Sequence, residues 1–391
     1  LMFIIHSVCI GITMGGTVFA AQYKGAKDEH GQIEIIGTLF TVAFIAAVLV
    51  TAAGLAAYRP LFRLLHVPAP AMEDACGYMK IICYGTIFVF GYNAVCSIMK
   101  GLGDSKSPLY FVAVATVINL VLDLLLVGPF GMGTEGAACA TIFSQGISFV
   151  ISVFHLKRKD SVFDFRLSHF SIKTDKLAAI LKVGLPTAVQ MASVNLSYLL
   201  ITGMLNQFGV SVAAASGVGL KINTFAGMPC WAIGQAVTAM AGQNMGAGNI
   251  KRVQKTTSTG LCLNLLITLI MVLLVQIFGK QLILLFTPAS PEVLEEGILY
   301  LRICCSVNSL VYAVMYTFDS FAIGIGSANI AMFNALLDAG IVRLPVSWLL
   351  AFPLGLGYPG IYIGQALSPF LPAAAGLLYF KSKGWKNKRI L

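Results

Sequence analysis

The sequence predicts an all-α polytopic membrane protein made of two parallel-repeat helical lobes, with about eleven of twelve transmembrane helices present. Three observations carry that expectation. Of 391 residues, 58% are hydrophobic and 11% charged, whereas a soluble domain has about a quarter charged residues. Apolar stretches long enough to cross about 30 Å of hydrocarbon recur along the whole chain. The chain also echoes itself: Gln22-Tyr23-Lys24-Gly25-Ala26 returns as Gln243-Asn244-Met245-Gly246-Ala247, Lys80 and Cys83 as Arg302 and Cys305, and Pro129 to Gly136 as Pro353 to Gly360. From 22 to 243 the offset is 221, from 80 to 302 it is 222, and from 129 to 353 it is 224. A period this long excludes a short solenoid repeat and marks two copies of one unit.

In chain order the spans fall at about 3–22, 33–58, 76–99, 108–130 and 135–156 in the first copy, and 177–206, 211–240, 256–279, 293–323, 328–352 and 359–380 in the second. All are predicted helical, because lipid tolerates only helices and closed barrels, and none shows the ten-residue alternation of a barrel strand. Matching spans lie six apart, so the copies cross the membrane in the same direction and their symmetry axis runs along the membrane normal. The span around Gly184-Leu185-Pro186 opens the second copy, and its partner would lie ahead of residue 1. One more apolar helix, within roughly 35 to 60 upstream residues, is therefore expected. The resulting organisation is an N-terminal lobe (1–156), a polar linker (157–176), a C-terminal lobe (177–380) and a tail (381–391).

Lys and Arg orient the chain, since short cytoplasmic loops accumulate them. Eighteen lie outside the spans on the side of Lys24, the linker and the tail, against Arg59, Arg63 and Lys280 on the other. The C-terminus is thus expected in the cytoplasm, and the net charge of +10 reflects topology rather than nucleic-acid binding.

Most recognisable motifs have plain readings. Gly131-x-Gly133-x-x-Gly136 and Gly355-x-Gly357-x-x-Gly360 match a dinucleotide fingerprint, but they join membrane helices on the face away from the cytosol and read as tight hairpin turns. Nine Cys without a C-x-x-C pair, mostly in apolar spans, read as buried thiols. His6, His30, His66, His155 and His169 sit near span boundaries or in loops. No H-E-x-x-H or G-x-S-x-G is present, which argues against an intramembrane enzyme.

Charges inside spans are different, each costing about 2.5 to 3.5 kcal/mol at mid-membrane on insertion scales. Asp123, Lys221, Asp338 and Arg343 stand out. Lys221 and Asp338 each lie about ten residues into their spans from opposite faces, so both sit near the midplane. Either they form an intramembrane charge pair or each is satisfied by carbonyls and cavity water. In the first copy, Asn119 and Asp123 are four apart and share a helical face. The turn at Met132 lies nine residues after Asp123 and nine before Thr141, so an antiparallel hairpin brings three oxygen-bearing side chains to one depth. Oxygen ligands suit Na+, and an Asp in an apolar setting can carry a proton instead. A buried polar cluster that locks helices together is the alternative.

Gly242-Gln243-Asn244-Met245-Gly246-Ala247-Gly248-Asn249, the loop Gly101-Leu102-Gly103-Asp104-Ser105, and Asn119 to Asp123 followed by Gly133, Gly136 and Ala140-Thr141 together resemble the multidrug and toxic compound extrusion (MATE) transporters. Asn119 and Asp123 look most like the DinF-like and related bacterial branch. The resemblance implies a cation-coupled exporter of the cell membrane, in bacteria the inner membrane, with two six-helix lobes around a cavity open alternately to each side. It also implies cation binding by Asn119, Asp123 and Thr141, with an Asp of the upstream helix as a further ligand. Met191, Tyr198, Phe225, Met228, Tyr312 and Tyr316 would line the substrate cavity or simply pack between helices. Gln190, Ser193 and Asn195 stand where the family often has an acidic residue. Drug-like small molecules and membrane lipid are the expected partners of a monomer, with Na+ or H+ as coupling ion, no cofactor and no nucleic acid. A lipid-linked saccharide flippase of the same superfamily is the alternative; it would want a strongly cationic cavity, for which only Lys221 and Arg343 are candidates.

Overall fold

A helix in hydrocarbon closes its own backbone hydrogen bonds, so length and side-chain polarity decide where it can sit. The computed structural model describes residues 2–64, 69–158, 163–287, 290–382 and 384–387, and among the described residues it is helical without strands. Two compact units emerge, Leu1–Ala188 and Val189–Leu391. The first holds α1 (Met2–Ala26), α2 (Glu29–Leu64), α3 (Ala69–Gly101), α4 (Lys106–Val127), α5 (Gly133–Arg158) and the first half of α6 (Thr174–Leu205). The second holds the rest of α6, α7 (Val210–Gly246), α8 (Ile250–Phe286), α9 (Pro291–Cys304), α10 (Val307–Gly324), α11 (Ala328–Leu336), a π-helical segment (Leu337–Arg343), α12 (Leu344–Ala351), α13 (Tyr358–Leu367) and α14 (Phe370–Lys381).

Among the described residues nine helices are long and apolar enough to cross a membrane, ten if α9 and α10, bent by 47°, form one broken span. The remaining expected span, 211–240, coincides with the 37-residue α7, which is not among them. Its sequence is rich in Gly, Ser, Thr and Asn and carries Lys221, and its buried side presents Ser216, Gly219 and Thr238 to its neighbours. A helix packed on other helices through small residues tolerates that polarity.

The repeat is visible in the backbone. Gly131 and Gly133 adopt φ of 61° and 53°, and Gly355 and Gly357 adopt 67° and 63°, the left-handed conformation a tight helix hairpin needs and glycine adopts freely. At the α1–α2 corner, Asp28 Oδ1 accepts from Gly31 N at 2.9 Å; at the α7–α8 corner, Asn249 Oδ1 accepts from Arg252 N at 3.1 Å. The residue before each cap is left-handed, Lys27 at 58° and Gly248 at 68°.

The second unit departs from plain helices where the sequence reads as continuous. The expected span 293–323 breaks between α9 and α10, and side chains satisfy the freed backbone groups. Asn308 Nδ2 donates to Cys304 O at 2.8 Å, Asn308 Oδ1 accepts from Ser306 N at 3.0 Å, and Gln276 Nε2 donates to Leu301 O and Cys305 O, both at 2.8 Å. The spans 328–352 and 359–380 are likewise interrupted, by the π-helical segment and between α13 and α14.

The units divide inside α6 and not within 157–176, because the described part of that linker is docked. Phe163, Phe165 and Phe170 surround Phe40 of α2 with ring centroids 5.7 to 6.0 Å away. Ser171 O accepts from Thr38 Oγ1 at 3.2 Å, and Lys176 Nζ donates to Tyr23 OH at 2.6 Å. Residues 159–162 of the linker, with Lys159, lie outside the described residues, as do His66, Lys383, Lys388 and Arg389. Within the expected tail, Trp385 is fully buried, edge-on to Phe321 at 4.9 Å, and its Nε1 donates to Phe380 O at 2.9 Å.

Left-handed backbone costs an L-residue about 1 to 2 kcal/mol, so Lys27→Gly should stabilise the protein by about 1 kcal/mol and Gly248→Lys should destabilise it by a similar amount. Thermal unfolding of the purified protein in detergent checks both; an unchanged midpoint for Lys27→Gly would show that the corner is not strained.

Candidate functional site

In the first unit, α4 and α5 pack antiparallel, and their contacts fix the register. Ser107 Oγ lies 3.0 Å from His155 Nε2, Ser148 Oγ donates to Phe111 O at 3.1 Å, and Met132 N donates to Leu126 O at 2.9 Å across the turn. This register sets Asn119 opposite Thr141 and places Asp123 one turn nearer the Gly131 hairpin. Thr141 spends its proton on Ala137 O at 3.0 Å, which leaves its oxygen an acceptor. Asp123 Oδ1 and Asn119 Nδ2 are buried with no hydrogen-bond partner in the protein. Gln145 Oε1, one turn beyond Thr141 on α5, is buried and unpartnered in the same way.

Gln145 was missed by the sequence reading, although its i+4 spacing from Thr141 is the signal that finds it. A buried polar atom without a partner costs about 1 to 3 kcal/mol, so three in one hairpin make it the candidate site of the first unit. One carboxylate with amide and hydroxyl oxygens is a donor set for a monovalent hard cation or a proton. Among the described residues no three His, Cys, Asp or Glu side chains gather as ligands for a transition metal would.

The second unit carries a buried polar cluster of its own. Arg343, 3% exposed, and Asp338, 1% exposed, form an ion pair at 2.6 Å. Arg343 also donates from Nη1 to Ser197 Oγ at 2.9 Å and from Nε to Ser368 Oγ at 3.4 Å, and its guanidinium lies 4.5 Å from the centre of the Tyr198 ring. Beside it, Asn334 Nδ2 donates to Asp319 Oδ1 at 2.6 Å, while Asp338 Oδ1 and Asn334 Oδ1 remain unpartnered.

The expected pairing of Lys221 with Asp338 is therefore corrected: the partner of Asp338 is Arg343. Lys221 is exposed on α7, its Nζ 6.0 Å from the Phe286 ring centre. The reason is local winding. In an α-helix, residues five apart point to different faces; in the π-helical segment Leu337–Arg343, i→i+5 closure stacks Arg343 over Asp338. α-Helical spacing hid the pair, and it gave no sign that Asp319, close by, is buried to 2% exposure.

Of the six cavity candidates, the structure gathers the three tyrosines. Tyr312 and Tyr316 stack at 6.0 Å and 14°, and Tyr198 and Tyr312 both flank Arg343. Phe225 and Met228 are 68% and 50% exposed, three residues apart on one face of α7. Met191 is half-buried on α6.

A family model, MatE, matches residues 1–125 and 186–349. The chain belongs to the MATE family. It is 31% identical over 388 residues to the probable multidrug resistance protein YpnP of Bacillus subtilis, covering 98% of this chain and 85% of that one. It is 27% identical over 398 residues to the probable multidrug resistance protein NorM of Thermotoga maritima, covering 99% and 84%. Among solved structures it resembles a multidrug resistance MATE transporter of the MOP superfamily in an outward-facing conformation, with a TM-score of 0.94 at 22% identity over 99% of this chain and 87% of that one. It also resembles a MATE transporter in the straight conformation, with a TM-score of 0.92 at 22% identity over 97% and 85%. MATE proteins are membrane transporters of small molecules; they are not enzymes and need no cofactor.

Truncating one member of a buried ion pair strands the other and costs about 3 to 5 kcal/mol, whereas replacing both by apolar residues is often neutral. Arg343→Met should thus lower the unfolding midpoint of the MATE protein sharply, and Arg343→Met with Asp338→Leu should recover most of the loss. Equal damage from the single and the double variant would contradict the pairing.

Proposed function

We propose that this MATE protein is a cation-coupled antiporter that exports amphipathic, cationic organic compounds by alternating access, driven by inward flow of Na+ or H+. The carrying observation is the α4–α5 hairpin, where Asp123 has a buried, unpartnered Oδ1 and, among the described residues, no salt-bridge partner. An uncompensated carboxylate in a membrane helix is costly unless an ion or proton neutralises it for part of the cycle. Asn119, Thr141 and Gln145 supply further oxygen ligands. The Tyr198, Tyr312 and Tyr316 rings, with Met191, Phe225 and Met228, offer the aromatic and adaptable surface that suits cationic drugs of varied shape. The Lys and Arg bias supports a C-terminus in the cytoplasm of a cell-membrane protein, and the self-contained polar clusters support a monomer. The saccharide-flippase alternative is disfavoured, because Asp338 neutralises Arg343 and leaves Lys221 as the remaining candidate for a cationic cavity.

Asp123→Asn should abolish ion-driven efflux in proteoliposomes while leaving expression and drug binding near wild type. Ion-driven transport at the wild-type rate in that variant would remove Asp123 from the coupling site. Alanine at Tyr198 or Tyr312 should re-rank resistance among drugs, about tenfold for the most affected compound, as loss of one or two cation–π contacts predicts. A uniform loss across all drugs would instead indicate damaged folding.

A further inference from the structure

The two copies hold one segment in two states. Lys80 and Cys83 correspond to Arg302 and Cys305 at an offset of 222, so α3 corresponds to α9 and α10 together. α9 and α10 are bent by 47° where they meet, whereas α3 runs unbroken from Ala69 to Gly101. A broken turn must find new partners for the backbone groups it frees. In the second copy side chains supply them. Ser306 Oγ donates to Ile303 O at 3.1 Å, Asn308 Nδ2 to Cys304 O at 2.8 Å and Gln276 Nε2 to Cys305 O at 2.8 Å, while Asn308 Oδ1 accepts from Ser306 N at 3.0 Å.

The intact helix already carries most of these partners. Subtracting 222 from 304, 305 and 308 gives Ile82, Cys83 and Thr86. Thr86 Oγ1 donates to Ile82 O at 3.2 Å, as Asn308 does to Cys304 O. Thr51 Oγ1 of α2 donates to Cys83 O at 2.9 Å, as Gln276 of α8 does to Cys305 O. A Thr that bonds back four residues is common in helices; here a neighbouring helix takes the next carbonyl as well. Gly54 stands at the position of Gln276, where a Cβ would come within 2.8 Å of Cys83 Sγ, so α2 lies close enough for Thr51, a turn earlier, to reach. Val307, just past the break, corresponds to Gly85, and glycine is the weakest helix former after proline. Each carbonyl has two lone pairs, so in the unbroken helix the two hydroxyls are spare partners.

We propose that α3 opens at Cys83–Gly85 during transport and takes up the bent geometry that α9 and α10 hold. Opening frees the Ile82 and Cys83 carbonyls, which Thr86 and Thr51 keep bonded. It also frees the Tyr84 N–H, which the Thr86 oxygen can accept as Asn308 Oδ1 accepts from Ser306 N. The hinge abuts the α4–α5 hairpin, because a Cβ on Gly85 would run into Ile142 of α5, the residue after Thr141. A swing of the Ala69–Ile82 arm therefore displaces α5 beside the proposed ion ligands.

The role of this hinge in the cycle rests on the transport reading, but its opening can be measured without transport. In the full chain reconstituted in lipid nanodiscs, hydrogen–deuterium exchange of backbone amides reports local opening. Thr51→Val with Thr86→Val preserves side-chain shape and removes both spare hydroxyls, which strands the freed carbonyls of the open state and costs the intact helix little. Exchange over 84–87 should then slow about tenfold, with 92–99 unchanged. Thr86→Asn, which copies Asn308, should speed exchange over 84–87 about tenfold. Misfolding raises exchange, so a slowing in the double variant cannot come from damage. Exchange over 84–87 that the double variant leaves unchanged overturns the opening. Slowed exchange with drug turnover at the wild-type rate overturns its place in the cycle. Absence of ion-driven transport in the wild type would instead sink the transport reading and leave the exchange result standing.

Discussion

The hydrocarbon interior offers no water to a polar group, and the structure of this transporter follows from how each such group is answered. Where a backbone bond breaks, as between α9 and α10, Asn308 and Gln276 take over the freed carbonyls. Where a full charge is buried, as at Asp338, the helix rewinds into a π turn so that Arg343 reaches it at 2.6 Å. Where neither happens, an atom is left unsatisfied, as at Asp123 and Gln145, and the proposed ion site rests on such atoms.

The two units answer the same constraint differently. The first keeps continuous helices and concentrates unsatisfied groups in the α4–α5 hairpin, on Asn119, Asp123 and Gln145. The second breaks or rewinds the helices corresponding to its last three spans and gathers a paired charge, an Asn-held carboxylate and a stack of tyrosines. Duplication supplied one scaffold twice, as the matching left-handed residues at 131, 133, 355 and 357 record. Divergence then placed a lone carboxylate in one copy and an ion pair in the other, which suits a division between binding an ion and changing shape.

The spans, the repeat and the glycine hairpins were legible because they rest on patterns that survive in one dimension: apolar length, a constant offset and glycine where φ is positive. The antiparallel α4–α5 hairpin was legible for the same reason, but its register was not: counting equally from Met132 sets Asp123 opposite Thr141, whereas the contacts set Asn119 there and Asp123 one turn nearer Gly131. Helix interruptions were not, because α-helical spacing is assumed whenever a run is apolar, and a π turn changes the neighbours of Asp338 without changing composition. The docked linker escaped notice because its Phe163, Phe165 and Phe170 are scattered among charges, and their partner Phe40 lies more than a hundred residues away. Trp385 was lost in a basic tail, where nothing nearby signals that Phe321 and Phe380 receive it.

Coupling of substrate movement to an ion gradient is the central claim, and accumulation against a gradient tests it most directly. In sealed proteoliposomes preloaded equally with a fluorescent organic cation on both sides, an imposed Na+ or H+ gradient should drive the cation uphill. An ionophore that collapses that gradient should stop it. Uphill movement that persists after collapse, or cation exchange that neither gradient can drive uphill, would contradict the account.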